Sequence, residues 1–135
     1  MNTYHIFAIK KDIYIIYKKN SYSLYKVLYN LYNLNKIDLK YGITLYNQLC
    51  NVINIKKLKK TFELLDNTRK GNNRYLITYN NKKSLIILKP SHIIYKTKDI
   101  QKLHLYILND YNNYLFICNF TTKKYFWIKE EIKRK

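Results

Sequence analysis

Three residues in the 135-residue chain are strong breakers of regular structure: Gly42, Gly71 and Pro90. A chain so poor in glycine and proline must be built of long elements. Its turns have to come from Asn, Asp, Lys and Ser, which accept turn backbone at modest cost. Between those turns the hydrophobic period changes once. After an opening strand, apolar residues recur at helical spacing to about residue 66; from residue 74 they alternate or run together as strands do.

Residues 3–9 read as a strand, with Ile6, Phe7 and Ile9 apolar between polar Asn2 and Lys10. Residues 11–18 admit two readings. The run Ile13 to Tyr17 is β-branched and aromatic, which suits a hairpin arm after Lys10-Lys11-Asp12. Asp12 as a start signal favours a helix instead, on which Ile13, Ile16 and Tyr17 stand together at i, i+3 and i+4. Such a patch is suited to gripping another protein. Asn20 or Ser21 caps the next helix, where Leu24, Leu28 and Leu31, with Val27 beside them, form a core stripe. Tyr25, Tyr29 and Tyr32 make a second stripe, read as the phenolic rim of a wide buried face in preference to a stacking platform for bases. Asn33-Leu34-Asn35 ends this helix.

Thr44 is expected to cap another helix, with Leu45, Leu49, Val52 and Ile53 inward and Asn47, Gln48 and Asn51 on the polar side. Asn54 starts one more, in which Ile55, Leu58, Phe62 and Leu65 point inward. Its flanking Lys56, Lys57, Lys59 and Lys60 read as a solvated face. Strands follow at 74–79 and 84–89, joined by the turn Asn80-Asn81-Lys82-Lys83, and Pro90 ends the second. Residues 92–96 form a further strand or continue it. Thr97 or Asp99 opens a helix to about Asn109, with Ile100, Leu103 and Ile107 on one face and a structural His104 beside them. Residues 114–120 are apolar on both faces and so belong in the middle of a sheet. Thr121-Thr122-Lys123-Lys124 turns the chain, Tyr125-Phe126-Trp127-Ile128 pairs back, and a charged tail finishes. The expected fold is α+β: one domain over residues 1–135, an antiparallel-rich sheet with about four helices packed on it.

Lys and Arg number 26 against 8 Asp and Glu, a net charge of +18. An acidic partner is one source of such an excess. A/T-rich codon usage is another, because Lys, Asn, Ile and Tyr dominate together, and it accounts for more of the excess. The basic residues are scattered in pairs such as Lys59-Lys60 and Lys82-Lys83, so charge alone locates no binding groove. Cys50 and Cys118 lie far apart in apolar runs and read as buried free thiols of a reducing compartment. Lys10, Lys11 and Asp12 interrupt the opening apolar run, so no signal peptide is expected there. No run approaches the roughly 18 apolar residues of a membrane span. A soluble, cytoplasmic protein is the expectation.

Enzymatic chemistry finds little support. The carboxylates are dispersed, and His5, His92 and His104 have no Cys or carboxylate at metal-ligand spacing. No glycine-rich phosphate loop and no nucleophile motif is readable. No catalytic residue, cofactor or metal is assigned.

Two segments resemble the sporulation inhibitor of replication (SirA) family of Gram-positive bacteria. The first runs from Tyr4 to Leu28: an aromatic-rich strand into Ile9-Lys10-Lys11-Asp12, a helix carrying Tyr17, then Ser21 and an apolar helix. The second is Phe116-Ile117-Cys118-Asn119-Phe120-Thr121-Thr122-Lys123-Lys124-Tyr125-Phe126-Trp127-Ile128, similar to that family's closing hairpin. Tyr41 to Val52 aligns loosely between them through Ile43-Thr44 and Gln48-Leu49. The resemblance implies a monomeric, non-enzymatic inhibitor of chromosome replication initiation. It would bind the N-terminal domain of the initiator DnaA through its first and middle helices. It also implies a helix at 11–18. Tyr17 and Gln48 match family positions, Ile13 stands where the family tends to carry a larger aromatic, and Asn51 falls where the family has a tyrosine. The partner-binding set is therefore Ile13, Ile16, Tyr17, Gln48 and Asn51. The alternative is a basic nucleic-acid-binding module using scattered lysines and exposed tyrosines.

Overall fold

The strand β1 (Asn2–Ile9) lies at the centre of the molecule, and its alternating side chains divide the core in two. In the computed structural model, which describes residues 1–34 and 38–133, Tyr4, Ile6 and Ala8 enter one hydrophobic cluster. Phe7 and Ile9 enter the other. A strand buried on both faces is what an almost uninterrupted apolar run produces. The remaining elements, in chain order, are α1 (Lys11–Tyr17), α2 (Ser21–Tyr32), α3 (Leu39–Leu49), β2 (Cys50–Asn51) and α4 (Ile55–Phe62). Then come β3 (Thr68–Lys70), β4 (Arg74–Tyr79), β5 (Lys82–Leu88), β6 (Ile93–Thr97), α5 (Lys102–Tyr111), β7 (Leu115–Asn119), β8 (Lys124–Trp127) and α6 (Ile128–Glu131).

The strands form one antiparallel sheet in the order β3-β4-β5-β6-β1-β7-β8. β1 pairs with β6 from Asn2↔Thr97 to Ile6↔Ile93 and with β7 from His5↔Cys118 to Ala8↔Leu115. Where β6 leaves off, β2 takes over the same edge of β1 through Ala8↔Asn51 and Ile9↔Cys50. Helices cover both faces. Leu58 and Phe62 of α4, Leu105 and Leu108 of α5 and Ile128 of α6 fill the first cluster. Leu24, Tyr25 and Leu28 of α2 and Leu49 of α3 fill the second. The fold is α+β, with six helices among the described residues rather than about four.

Several local expectations hold. The hairpin between β4 and β5 turns at Asn80 and Asn81, whose φ values of 50° and 62° are the paired left-handed residues of a type I′ turn. Asn54 caps α4, its side-chain oxygen accepting from the Lys57 N–H at 3.1 Å. β7 is buried at every residue, as its two-faced apolar sequence requires.

Others fail for identifiable reasons. Thr44 lies inside α3 and does not cap it; its hydroxyl donates back to the Lys40 carbonyl at 3.1 Å. α3 begins at Leu39 instead, and the buried Gly42 within it leaves room for the Leu34 side chain. A Cβ there would lie 2.6 Å from Leu34 Cδ1 and 3.5 Å from Leu31 Cδ1. Ser21 is spent on the Trp127 indole, which donates to its Oγ at 3.0 Å, and Asn20 makes no side-chain cap bond. Thr97 stays in β6, where its hydroxyl accepts from Ser84 at 2.9 Å and donates to the Asp99 carbonyl at 2.8 Å. α5 therefore starts at Lys102 and buries His104, Leu105 and Leu108, while Leu103, expected inward, is 42% exposed. Val52, also expected inward, is exposed because the chain has left α3 by then. Three elements lack any sequence signal: β2, whose residues fell in the expected helix, β3, three residues paired on the edge of β4, and α6, which takes Ile128 from the expected closing strand together with the start of the charged tail. Asn35, expected in the helix-breaking triplet, and Arg134 and Lys135 of the tail lie outside the described residues.

Candidate functional site

At the end of β1 the chain makes three backbone connections at once. Ile9 pairs with Cys50 of β2, the Ile9 N–H donates to the Tyr114 carbonyl at 3.0 Å, and the Lys10 N–H donates to the Leu49 carbonyl at 2.9 Å. The first residue of the α1 entry is thus bonded to the last residue of α3. The start of one short helix and the end of another form a single surface.

α1 has no fully buried residue, and aromatic contacts hold it down. Tyr14 meets Trp127 edge-on, with ring centroids 4.8 Å apart at 87°, and packs on Tyr114 at 5.0 Å. The Lys129 ammonium lies 5.0 Å from the Tyr14 ring centroid. Ile13 and Tyr17 flank Tyr14 and are half-buried against the second cluster. The other side of the helix faces out: Ile15 is 54% and Ile16 67% exposed.

The expected patch of Ile13, Ile16 and Tyr17 therefore divides. Ile13 and Tyr17 share the inward-leaning side with one edge in solvent, and Ile16 stands on the outer side with Ile15. Gln48 is exposed on α3. Asn51 is exposed too, but it is a strand residue of β2 opposite Ala8, not part of the helix where sequence spacing put it. Ile15 was missed because the i, i+3, i+4 rule chose the neighbouring stripe. Tyr41 and Ile43 on α3, 65% and 53% exposed, were missed because the helix was started at Thr44. With α3 opened at Leu39, Tyr41 falls two turns before Gln48 on the same outer stripe.

A mostly apolar cavity of about 400 Å³ lies between α2 and α3, with Phe7, Leu31, Tyr32, Ile43, Tyr46 and His92 in its wall. Tyr46 closes one side by donating its hydroxyl to the Ser91 carbonyl at 2.7 Å. His92 exchanges a hydrogen bond with Ser91 Oγ at 2.8 Å, and burial, with His5 and Lys89 nearby, holds it down to about 4. His5 packs beside it, tilted by 43° with ring centroids 5.1 Å apart, and burial lowers its pKa as well. Both rings are neutral at pH 7 and serve as packing. No group of three or more His, Cys, Asp or Glu that could hold a metal ion occurs among the described residues.

The cations are distributed around the fold rather than gathered on one face. Lys56, Lys59 and Lys60 lie on α4 in the first helical layer, Arg69 and Lys83 on the sheet, and Lys123 and Lys124 at the β7–β8 turn. Apolar exposure is the more concentrated property. Eight of the large exposed side chains, Ile15, Ile16, Tyr22, Tyr29, Tyr32, Leu39, Tyr41 and Ile43, sit on α1, α2 and α3. Greasy side chains on these helices can bury area in a partner, and exposed amides such as Gln48 and Asn51 can direct its approach by hydrogen bonds. No helix among the described residues is long and apolar enough to cross a membrane. No protein-family model matches the chain, and no curated protein matches it in sequence.

Proposed function

We propose that this protein is a non-enzymatic inhibitor of chromosome replication initiation, docking the outer side of α1 and the end of α3 on the N-terminal domain of DnaA. The observation that carries the reading is the exposure of Ile15 and Ile16 on α1 and of Gln48 and Asn51 at the end of α3, two segments joined by the Lys10–Leu49 hydrogen bond. The resemblance to the sporulation inhibitor of replication family supplies the partner and the cytoplasmic setting. Small helical contacts draw most of their energy from a few anchors in a desolvated centre. Ile16 and the outer edge of Tyr17 are those anchors, and Gln48 and Asn51 supply direction. The surrounding lysines raise the association rate toward an acidic surface more than they raise affinity. A monomer is enough, because covering a surface the initiator needs for self-assembly requires no chemistry.

Calorimetric titration of the full chain against the DnaA N-terminal domain tests this. Saturable one-to-one binding, lost in Ile16→Glu and kept in Lys60→Glu on the opposite layer, is the expected result. No heat at protein concentrations near 100 times the roughly micromolar affinity expected of such a contact would end the proposal.

A second reading has one observation in its favour. Tyr22 and Tyr29 of α2, with Lys26 and Lys123, line a cleft of about 290 Å³, and stacking aromatics with cations suit single-stranded nucleic acid. That reading requires affinity for an oligonucleotide to fall steeply with salt. A shallow salt slope counts against it.

A further inference from the structure

The two helical layers are unequal. The sheet residues of the second cluster are Phe7, Ile9, Cys50, Phe116, Cys118 and Trp127, all from β1, β2, β7 and β8. Across β3 to β6 the first face is covered by α4 and α5, and the opposite face enters neither cluster. A solvent-facing half of an antiparallel sheet normally reads polar. This one does not. Strand register puts Arg69, Leu76, Leu85 and Lys96 in one row across the sheet, and Arg74, Ile87 and Ile94 in the next. Leu76, Leu85 and Ile94 are only partly buried there, while Ile87 between them is buried.

We infer that this open face is a second docking surface, and that its occupant is an amphipathic helix of another protein, with Asp or Glu flanking its apolar stripe. The dimensions fit one helix. The aliphatic centre spans three strands, about 10 Å at roughly 4.8 Å per strand, which is the diameter of a helix with its side chains. The charge pattern fits an acidic one. Leu76 and Leu85 are flanked in their row by a cation on either side, Arg69 and Lys96, before the row passes to Thr3 of β1, and the row through Ile87 begins with Arg74. No carboxylate belongs to this face of β3, β4, β5 or β6. Nucleic acid is disfavoured because these strands present no aromatic side chain on this face for a base to stack on. A second copy is disfavoured because the chain has only 8 acidic residues against 26 basic ones, and α4, its most amphipathic helix, is flanked by lysines. The surface adjoins the α2 side of the helical layer through His5, which pairs with Ile94 and contacts Tyr32, but it shares no residue with the α1 and α3 set.

A methyl NMR titration of the full chain tests the inference. The probe is a synthetic peptide of about 18 residues, long enough to hold a helix, with Leu at i, i+3, i+4 and i+7 flanked by Glu. The control peptide carries Lys in place of Glu. The Glu peptide is expected to move the methyl resonances of Leu76, Leu85 and Ile94 and to bind at least about tenfold more tightly than the Lys peptide. Leu85→Lys should weaken it by about tenfold or more. Lys96→Glu, an exchange in a charged rim that the fold does not need, should weaken the Glu peptide and tighten the Lys peptide. Unmoved methyl resonances, or equal binding by parent and both variants, would overturn the proposal. So would a DNA oligonucleotide that moves the same methyls and binds more tightly than the Glu peptide, which would give the face to nucleic acid.

Discussion

The Lys10 N–H donates to the Leu49 carbonyl at 2.9 Å, and this one bond sets α1 against the end of α3. Ile13 lies one helical turn beyond the donor, and Gln48 immediately precedes the acceptor. The bond thereby ties together the chain ends that carry two residues 35 positions apart in sequence. The bond also explains why so short a helix persists. α1 has seven residues and no side-chain cap, so its order comes from its anchored entry and from Tyr14.

Ile16 and Tyr17 are expected to separate binding from stability. Ile16→Glu replaces an exposed side chain and should change stability by less than about 0.5 kcal/mol while abolishing the DnaA-domain titration. Tyr17→Ala removes contacts to the second cluster and should cost about 1–3 kcal/mol as well as affinity. Urea unfolding beside calorimetry distinguishes the two. An Ile16→Glu protein that binds like the parent would remove this face as the site.

Acid should destabilise the fold through its histidines. Burial lowers the pKa of His5 and His104, and it holds His92 down to about 4. These rings stay neutral in the folded protein below the unfolded value of about 6.5, where the unfolded chain takes up protons. The histidine contribution to stability is therefore level above pH 7 and declines as pH falls from about 6.5 toward 4. A thermal unfolding series across that range should show a falling Tm, with a shallower decline in His92→Gln. Parallel curves for the two proteins would contradict the assignment.

The indole of Trp127 joins α2 to the closing hairpin. It donates to Ser21 Oγ at 3.0 Å and packs on Phe116 with ring centroids 4.7 Å apart. Trp127→Phe keeps most of the packing but leaves the Ser21 hydroxyl without its donor, and about 1–2 kcal/mol should be lost in denaturant titration. Ser21→Ala should cost a similar amount in the parent and almost nothing in the Trp127→Phe background, since the two share one bond.

The β4–β5 turn can be improved. Asn80 and Asn81 both have positive φ, and glycine enters that region without Cβ strain. Asn81→Gly should raise stability by about 0.5 kcal/mol, and Asn80→Val should lower it by about 1–2 kcal/mol. Equal midpoints in urea for all three proteins would show that the turn is not held as described.

Neither thiol should react in the folded protein. Burial pushes Cys50 up to about 12 and Cys118 well above the usual thiol range, and only the thiolate is nucleophilic. A disulfide-exchange reagent at pH 8 should label neither cysteine until denaturant is added, after which it labels both. Labelling at a rate independent of denaturant would show that one of them is open to solvent.

Elements whose signal is local could be read from the residues alone. The apolar run of β1, the leucine stripe of α2, the Asn-Asn turn and the two-faced apolar β7 were all legible, because backbone preference and hydrophobic period pointed the same way. From these followed an α+β fold with an antiparallel sheet. Tertiary structure decided what local rules leave degenerate. α5 offered apolar residues on adjoining stripes, and only the sheet beneath it chose Leu105 and Leu108 over Leu103. α3 began five residues before Thr44, and the room that Gly42 leaves for Leu34 inside it is a contact no N-cap rule contains. The candidate site was half legible for the same reason. Periodicity could bring Ile13 and Tyr17 together on one stripe, but which stripe faces water depends on where Tyr14 and Trp127 meet. That contact joins residues 113 positions apart, and it exists only once the sheet has closed around β1.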